Sequence, residues 1–255
     1  LGRDTIRHAE KAGTLASSQY GSRKGKSAAR VVTSKVLNYD IVRQKRRAAV
    51  HVGLDATQCY DRSAHPIAAL CLMKHGAPPS AVRSTYGTLQ SATHKVITQY
   101  GLSNISYGGA QRAAKNLLPV QGQGQGSGHA STTWVCKSTE MIGVMETEGH
   151  GVYMQSPITL VMLIILAWLF VDDGNLANIA RTTEETGEEM IHAMQKALEC
   201  WVGTLRATGG DINATKSYFY AMDQNWTDAT WKFRSTHQMP GRLTITTTDG
   251  CTDIT

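Results

Sequence analysis

The chain of 255 residues is 41% hydrophobic and 18% charged, an ordinary globular composition that supports a real core in one large domain or two modest ones. Five cysteines (Cys59, Cys71, Cys136, Cys200, Cys251) form no CxxC pair and no regular spacing, which argues against a zinc ribbon or a disulfide framework and fits a reducing, intracellular compartment. The net charge of +6 is unevenly shared: residues 1–50 hold twelve Lys or Arg against three acids, so the remainder carries −3. That is the division needed by a polyanion clamp beside a cation-binding centre, although a plain basic surface has the same signature.

No basic-then-apolar leader opens the chain, and Leu1 in place of methionine reads as a piece cut from a longer polypeptide. The sequons at Asn104, Asn213 and Asn225, without a secretory signal, read as chance. Gly21-Ser22-Arg23-Lys24-Gly25-Lys26-Ser27 approaches a phosphate-binding P-loop but is one residue short and follows a polar stretch, which leaves a cationic loop before a helix over 27–46.

Val50, Val52 and Leu54 alternate with His51 and Gly53, predicting a strand with one buried face that delivers Asp55 at its end. Pro66 opens a helix ending at Gly76-Ala77-Pro78-Pro79, and a second helix from Ser80 puts Val82, Tyr86 and Leu89 on one face. A strand follows over 94–100. The glycine-dense LLPVQGQGQGSG before a helix over 129–148 does not fit a dinucleotide fingerprint; it is either a loop that lets backbone approach a ligand or a flexible linker.

Residues 160–171 are twelve uncharged residues in a row, expected as one buried strand; interrupted upstream by Gln155, Ser156 and Pro157, the apolar part falls short of the roughly 20 residues of a membrane span. It runs into Asp172-Asp173. Adjacent carboxylates after a buried strand are costly unless a cation or a turn open to water absorbs the charge, so the pair is either a divalent-metal site or a hairpin turn, Asp-Asp-Gly-Asn being good turn chemistry. A helix over 184–207 with Met190, Met194, Leu198, Trp201 and Leu205 as its core stripe stops at Gly209-Gly210; a strand then presents Lys216, and the alternating tail predicts a hairpin.

The order of these pieces carries a resemblance. LDATQCYD ending a strand, then PVQGQGQGSG before a helix, then FVDDGNL, then LRATGGDINATKSYFY, is similar to the palm of reverse transcriptases, motif by motif, and QYGSRKGKS upstream resembles the fingers block Q-x-G-x-R-x-G-R-S of non-LTR and group II intron types. The resemblance covers about Gln19 to Trp226. It implies an α+β right-hand polymerase with palm and partial fingers: fingers at 1–50 and 77–118, palm at 51–76 and 119–226, and a hairpin over 227–255 leading toward a thumb. It implies an RNA-directed DNA polymerase of a retroelement in which Asp55, Asp172 and Asp173 hold two Mg²⁺ (or Mn²⁺), with Asp173 the lesser ligand. Tyr60 would gate against the ribose 2′-hydroxyl, Gln121 and Gly122 would lie against the incoming nucleotide, and Lys216 would protonate the departing pyrophosphate. Arg23, Lys24 and Lys26 would contact template or triphosphate. The implied partners are an RNA template, a DNA primer and deoxynucleoside triphosphates, with no membrane. The earliest fingers blocks, a thumb, and RNase H, endonuclease and integrase regions are not evident. Phe170-Val171 stands where Tyr-Ala is frequent, and the glycine loop is richer than most. The alternative is a catalytically decayed or domesticated palm that binds RNA or protein.

Overall fold

The computed structural model describes residues 1–109, 112, 114, 115, 117, 120–155, 159, 160, 162–235, 238, 239 and 241–254. Leu118 and Pro119 of the glycine loop, and Ser156 and Pro157 upstream of the apolar run, lie outside the described residues.

Helix α1 (Gly2–Ala12) and helix α2 (Ala28–Lys45) precede strand β1 (Ala49–Asp55), then α3 (His65–Lys74), α4 (Pro79–Ser91), the hairpin β2 (Thr93–Thr98) and β3 (Gly101–Gly108), and α5 (Ala130–Thr147). Strands β4 (Val152–Gln155), β5 (Met162–Ile165), β6 (Ala167–Phe170) and β7 (Asp173–Ile179) lead to α6 (Gly187–Ala207) and β8 (Tyr218–Met222). Two further hairpins, β9 (Gln224–Thr227) with β10 (Thr230–Phe233) and β11 (Leu243–Thr247) with β12 (Gly250–Ile254), complete the described chain. Ser27 caps α2 by accepting from Arg30 N–H, and Thr186 with Glu189 forms a capping box on α6.

The centre is a four-stranded antiparallel sheet in the order β6-β7-β1-β8. On one face Val50, Val52, Leu54, Leu169 and Leu176 pack with Trp134, Met141, Ile142 and Met145 of α5 and with Met194, Leu198, Trp201 and Leu205 of α6. The other face is not open as the alternation in β1 predicted. Helix α2 lies across it, with Val31 against Trp168 and Ala177, Ser34 Oγ accepting from the Trp168 indole at 2.8 Å, and Lys35 Nζ donating to Asn175 Oδ1 at 2.7 Å. His51 is therefore buried between Tyr39, edge-on at 4.6 Å, and Tyr220, stacked at 5.3 Å.

The run over 160–171 is also not one strand. It divides at the buried Leu166: β5 pairs with β4 in a separate hairpin, and only β6 enters the central sheet, because pairing from Ala167↔Leu176 to Phe170↔Asp173 uses four residues. Leu160 and Ile164 of the first half are exposed. The tail hairpin packs back on α6, burying Leu243, Ile245 and Ile254 in the main core. No helix among the described residues is long and apolar enough to cross a membrane.

Candidate active site

Asp55 is the last residue of β1 and Asp173 the first of β7, and the antiparallel register sets them directly opposite each other. Residues so paired point to one face of a sheet, so two carboxylates 118 positions apart in sequence share an edge. Phe170 pairs with Asp173, which leaves Val171 and Asp172 as a two-residue hairpin loop. Val171 has φ 58°, the left-handed region that a two-residue hairpin ordinarily gives to glycine, and a β-branched residue there is strained by roughly 1–2 kcal/mol.

Distant residues hold that turn. The Trp134 indole N–H donates to the Val171 carbonyl at 2.5 Å, and Gln19 Nε2 reaches the same oxygen at 3.5 Å. Gln19 is fully buried; its Nε2 also donates to Ser138 Oγ at 2.9 Å, and its Oε1 accepts from Gly21 N–H at 2.8 Å. The segment runs beside β6, with Tyr20 N–H donating to the Leu169 carbonyl at 2.8 Å and Leu169 N–H to that of Ser18 at 2.9 Å. Gly21 lies so close to the turn that a Cβ there would stand 2.8 Å from Val171 Cα and closer still to its nitrogen. Gln19, Gly21, Trp134 and Ser138 brace the candidate site, and the sequence did not reveal them individually; the fingers-like block contained two of them.

Charge is crowded at the edge. The Asp173 carboxyl is pushed above the usual carboxylate range by burial and then by the charges of Asp172 and Asp55. Asp172 Oδ2 accepts from the Cys59 thiol at 3.6 Å; burial first, and Asp172 next, push that thiol up to about 12, so it remains a protonated donor. Lys216 Nζ stands 3.7 Å from Asp55 Oδ2, with the lysine largely exposed. It is brought there by the turn before β8, where Asn213 N–H donates to the Asp55 carbonyl at 2.8 Å. Asp55, Asp173, Lys216, Lys35, Asn175 and Tyr218 line a cleft of about 370 Å³.

Tyr60 is half-buried with its ring edge-on to Trp134 at 6.5 Å, and burial, then Cys59 and Asp172, raise its hydroxyl to about 12. The glycine loop is fastened to the same turn: Gly122 N–H donates to the Ser63 carbonyl at 3.0 Å and Gln123 N–H to that of Tyr60 at 2.8 Å. Gly122 has φ 101°, and a Cβ there would stand 2.8 Å from Asp61 Cα, so glycine is required on both counts. Gln121 Oε1 accepts from His65 N–H at 2.8 Å. Beneath this turn, fully buried Lys137 donates to Ser63 Oγ at 3.3 Å, and burial lowers its ammonium to about 8.

Asp55, Asp172, Asp173, Lys216 and Tyr60 thus meet at one edge, with Gln121 and Gly122 tied to the Tyr60 turn. The basic loop divides. Arg23 is turned inward, paired with Glu10 at 2.7 Å and donating to the Ala16 and Gln19 carbonyls, whereas Lys24 is exposed and Lys26 lies over the Tyr20 ring at 4.7 Å. Among the described residues no three His, Cys, Asp or Glu side chains form a ready metal-ligand set; Asp55 faces Lys216 and Asp172 faces Cys59. The donor chemistry still suits a hard divalent cation: Asp55 and Asp173 stand opposite each other at the sheet edge beside Asp172, and after burial the charges of Asp172 and Asp55 raise Asp173, a repulsion that a cation relieves.

Solved structures share the fold. Telomerase from Candida tropicalis in complex with a TWJ fragment of telomeric RNA matches with a TM-score of 0.52 at 11% identity, over 92% of this chain and 37% of that one. Apo telomerase from the same organism matches with a TM-score of 0.52 at 11% identity, over 92% and 40%. A form of it truncated from the C-terminal domain gives 0.50 at 12% identity, over 91% and 44%. The chain therefore spans less than half the length of these telomerases, and the likeness is one of fold: an α+β fold like that of a polymerase palm. No family model matches the sequence, and no curated protein matches it in sequence.

Proposed function

We propose that this chain is the RNA-directed DNA polymerase domain of a retroelement, extending a DNA primer on an RNA template with deoxynucleoside triphosphates. The observation that carries the reading is the register of Asp55 against Asp173 beside the Asp172 turn, two distant segments delivering carboxylates to one sheet edge. Asp55, Asp172 and Asp173 are the residues that would hold two Mg²⁺, or Mn²⁺ in their place. When bound, such ions lower the pKa of a primer 3′-hydroxyl and stabilise the leaving pyrophosphate. Lys216, an exposed ammonium at the same edge, is placed to hold a proton toward a departing phosphate. Tyr60 presents a rigid ring beside Trp134 as the wall against a ribose 2′-hydroxyl, and the Gln121-Gly122 backbone, braced on the Tyr60 turn, gives the incoming nucleotide a close surface. Exposed Lys24 and the loop around Lys26 offer charge to template or triphosphate, while Arg23 braces the loop. The telomerase matched in complex with telomeric RNA supports an RNA partner.

One observation favours a second reading, a decayed palm that binds RNA or protein: the Asp55–Lys216 ion pair can satisfy Asp55 without a metal. Primer extension on poly(rA)/oligo(dT) with Mg²⁺ separates the two. Template-dependent incorporation of dTTP that stops on chelation supports the polymerase. RNA binding without any incorporation supports the decayed palm.

A further inference from the structure

The end of the sheet remote from the aspartates carries a second concave site. Ile179, the last residue of β7, is six positions from Asp173, about 20 Å away at the rise of a strand. There Lys45 and Arg47 at the end of α2, Tyr153 and Gln155 of β4, and Arg181 wall a cleft of about 670 Å³. The Arg181 guanidinium lies over the Tyr153 ring at 5.0 Å. Arg46, between Lys45 and Arg47 in sequence, lies over Trp231 at 4.9 Å, and Trp231 stands 5.5 Å from the exposed Trp226.

The charge exceeds what the fold requires. Cations at a helix C-terminus answer its dipole for roughly 0.3–1 kcal/mol each, which accounts for one or two of Arg43, Lys45, Arg46 and Arg47. Arg43 is paired with Asp40 at 3.0 Å. Among the described residues no carboxylate pairs with Lys45, Arg46, Arg47 or Arg181. Glu185, close in sequence to Arg181, accepts from the backbone N–H groups of Arg181 and Thr182. Arg181 comes from a different part of the chain, so the convergence is tertiary.

We propose that this cleft binds single-stranded RNA by its phosphates, with Tyr153 giving an aromatic face to a base. Cations interleaved with aromatic rings along an open groove are the pattern that holds a single strand without sequence preference. An acidic peptide would match the charge and leave the aromatic plane unused. The site stands apart from the polymerase reading, since binding here needs no metal, nucleotide or aspartate.

The test is fluorescence anisotropy of oligo(rU) across 50–200 mM salt without divalent metal, on the whole chain. Lys45→Gln/Arg47→Gln/Arg181→Gln is compared with a charge-matched control at exposed sites elsewhere, Arg3→Gln/Lys11→Gln/Lys196→Gln. Three phosphate contacts at about 0.7 each in salt slope predict that the intact protein loses about 20-fold more affinity over this range than the cleft variant does. Crosslinking of 4-thiouridine RNA to Tyr153 in the unsubstituted protein supports the site whether or not the variant folds. The inference is overturned if the control loses affinity and slope as the cleft variant does, if crosslinks fall only near Asp55, or if polyglutamate competes as well as oligo(rU). Asp55→Asn separates the two readings: RNA binding at the cleft persists in it even where polymerase activity is absent.

Discussion

Gly21→Ala is a one-carbon change whose effect follows from a single contact. The added Cβ would stand 2.8 Å from Val171 Cα, 2.7 Å from Val171 Cγ2 and closer still to Val171 N, against an ordinary separation of 3.4 Å or more. Rotating the valine side chain relieves only Cγ2, so the backbone of the two-residue turn must retreat by about 0.6 Å or more at its Cα. That backbone carries Asp172 and Asp173. Overpacking of this kind costs roughly 1–3 kcal/mol, a fall in Tm of roughly 2–12 °C for a chain of this size. On the proposed polymerase function, catalysis is more sensitive: a displacement near 1 Å should lower kcat by about 10–100-fold while KM for the template-primer changes little. Gly143→Ala is the control, because a Cβ there meets nothing within 4 Å and helix propensity predicts a gain of roughly 1 kcal/mol. Primer extension and thermal unfolding of both variants decide the matter. A Gly21→Ala protein with unchanged kcat and unchanged Tm refutes the claim that this loop sets the position of the aspartate turn.

The remaining predictions use the same neighbourhood and the sheet behind it. Trp134→Phe removes the indole donor from the strained Val171 carbonyl, leaving only the long contact from Gln19, and should cost roughly 1–3 kcal/mol in urea unfolding; a change below half a kcal/mol contradicts it. His51 is held near 3 by burial and then by Lys35, so above pH 6.5 it is neutral folded or unfolded, while below 6.5 only the unfolded chain takes up the proton. Stability should therefore fall by roughly 1 kcal/mol per unit as pH drops from 6.5 toward 3, and His51→Phe should flatten that slope in pH-dependent urea melts. Tyr60→Val should admit ribonucleotides in competition assays against deoxynucleotides, and unchanged sugar discrimination counts against the gate. Cys59, held as a thiol near 12, should resist iodoacetamide at pH 8 while exposed Cys251 reacts; equal rates by mass spectrometry would place Cys59 elsewhere.

Local periodicity revealed most of the elements. The stripe from Met190 to Leu205 became α6, Ser27 capped α2, and the strand before Asp55 ended where its alternation ended. Periodicity did not reveal what covers a strand. Val50, Val52 and Leu54 announce one buried face, but His51 is buried as well because α2 folds back over the sheet, and nothing within β1 records that. The apolar run over 160–171 misled for a related reason: continuous hydrophobicity fits one strand or two, and the break at Leu166 is set by where β4 and β7 offer partners. At the candidate site the carboxylates were legible because adjacent acids after an apolar strand are chemically conspicuous. Gln19, Gly21 and Trp134 were not singled out. Their roles are contacts to Val171 across stretches of 152, 150 and 37 residues, which leave no trace in spacing. Arg23 was legible as a cation and not as a partner of Glu10, since the sign of a charge does not say which way its side chain turns.

The central claim is that Asp55 and the Asp172-Asp173 turn form one cation centre. It is tested most directly by counting bound Mn²⁺ by electron paramagnetic resonance in the intact protein and in Asp55→Asn and Asp172→Asn, with dTTP and template-primer present. The account predicts that either substitution, on either segment, removes bound Mn²⁺ and abolishes primer extension together. Unchanged Mn²⁺ stoichiometry and affinity in both variants would contradict it.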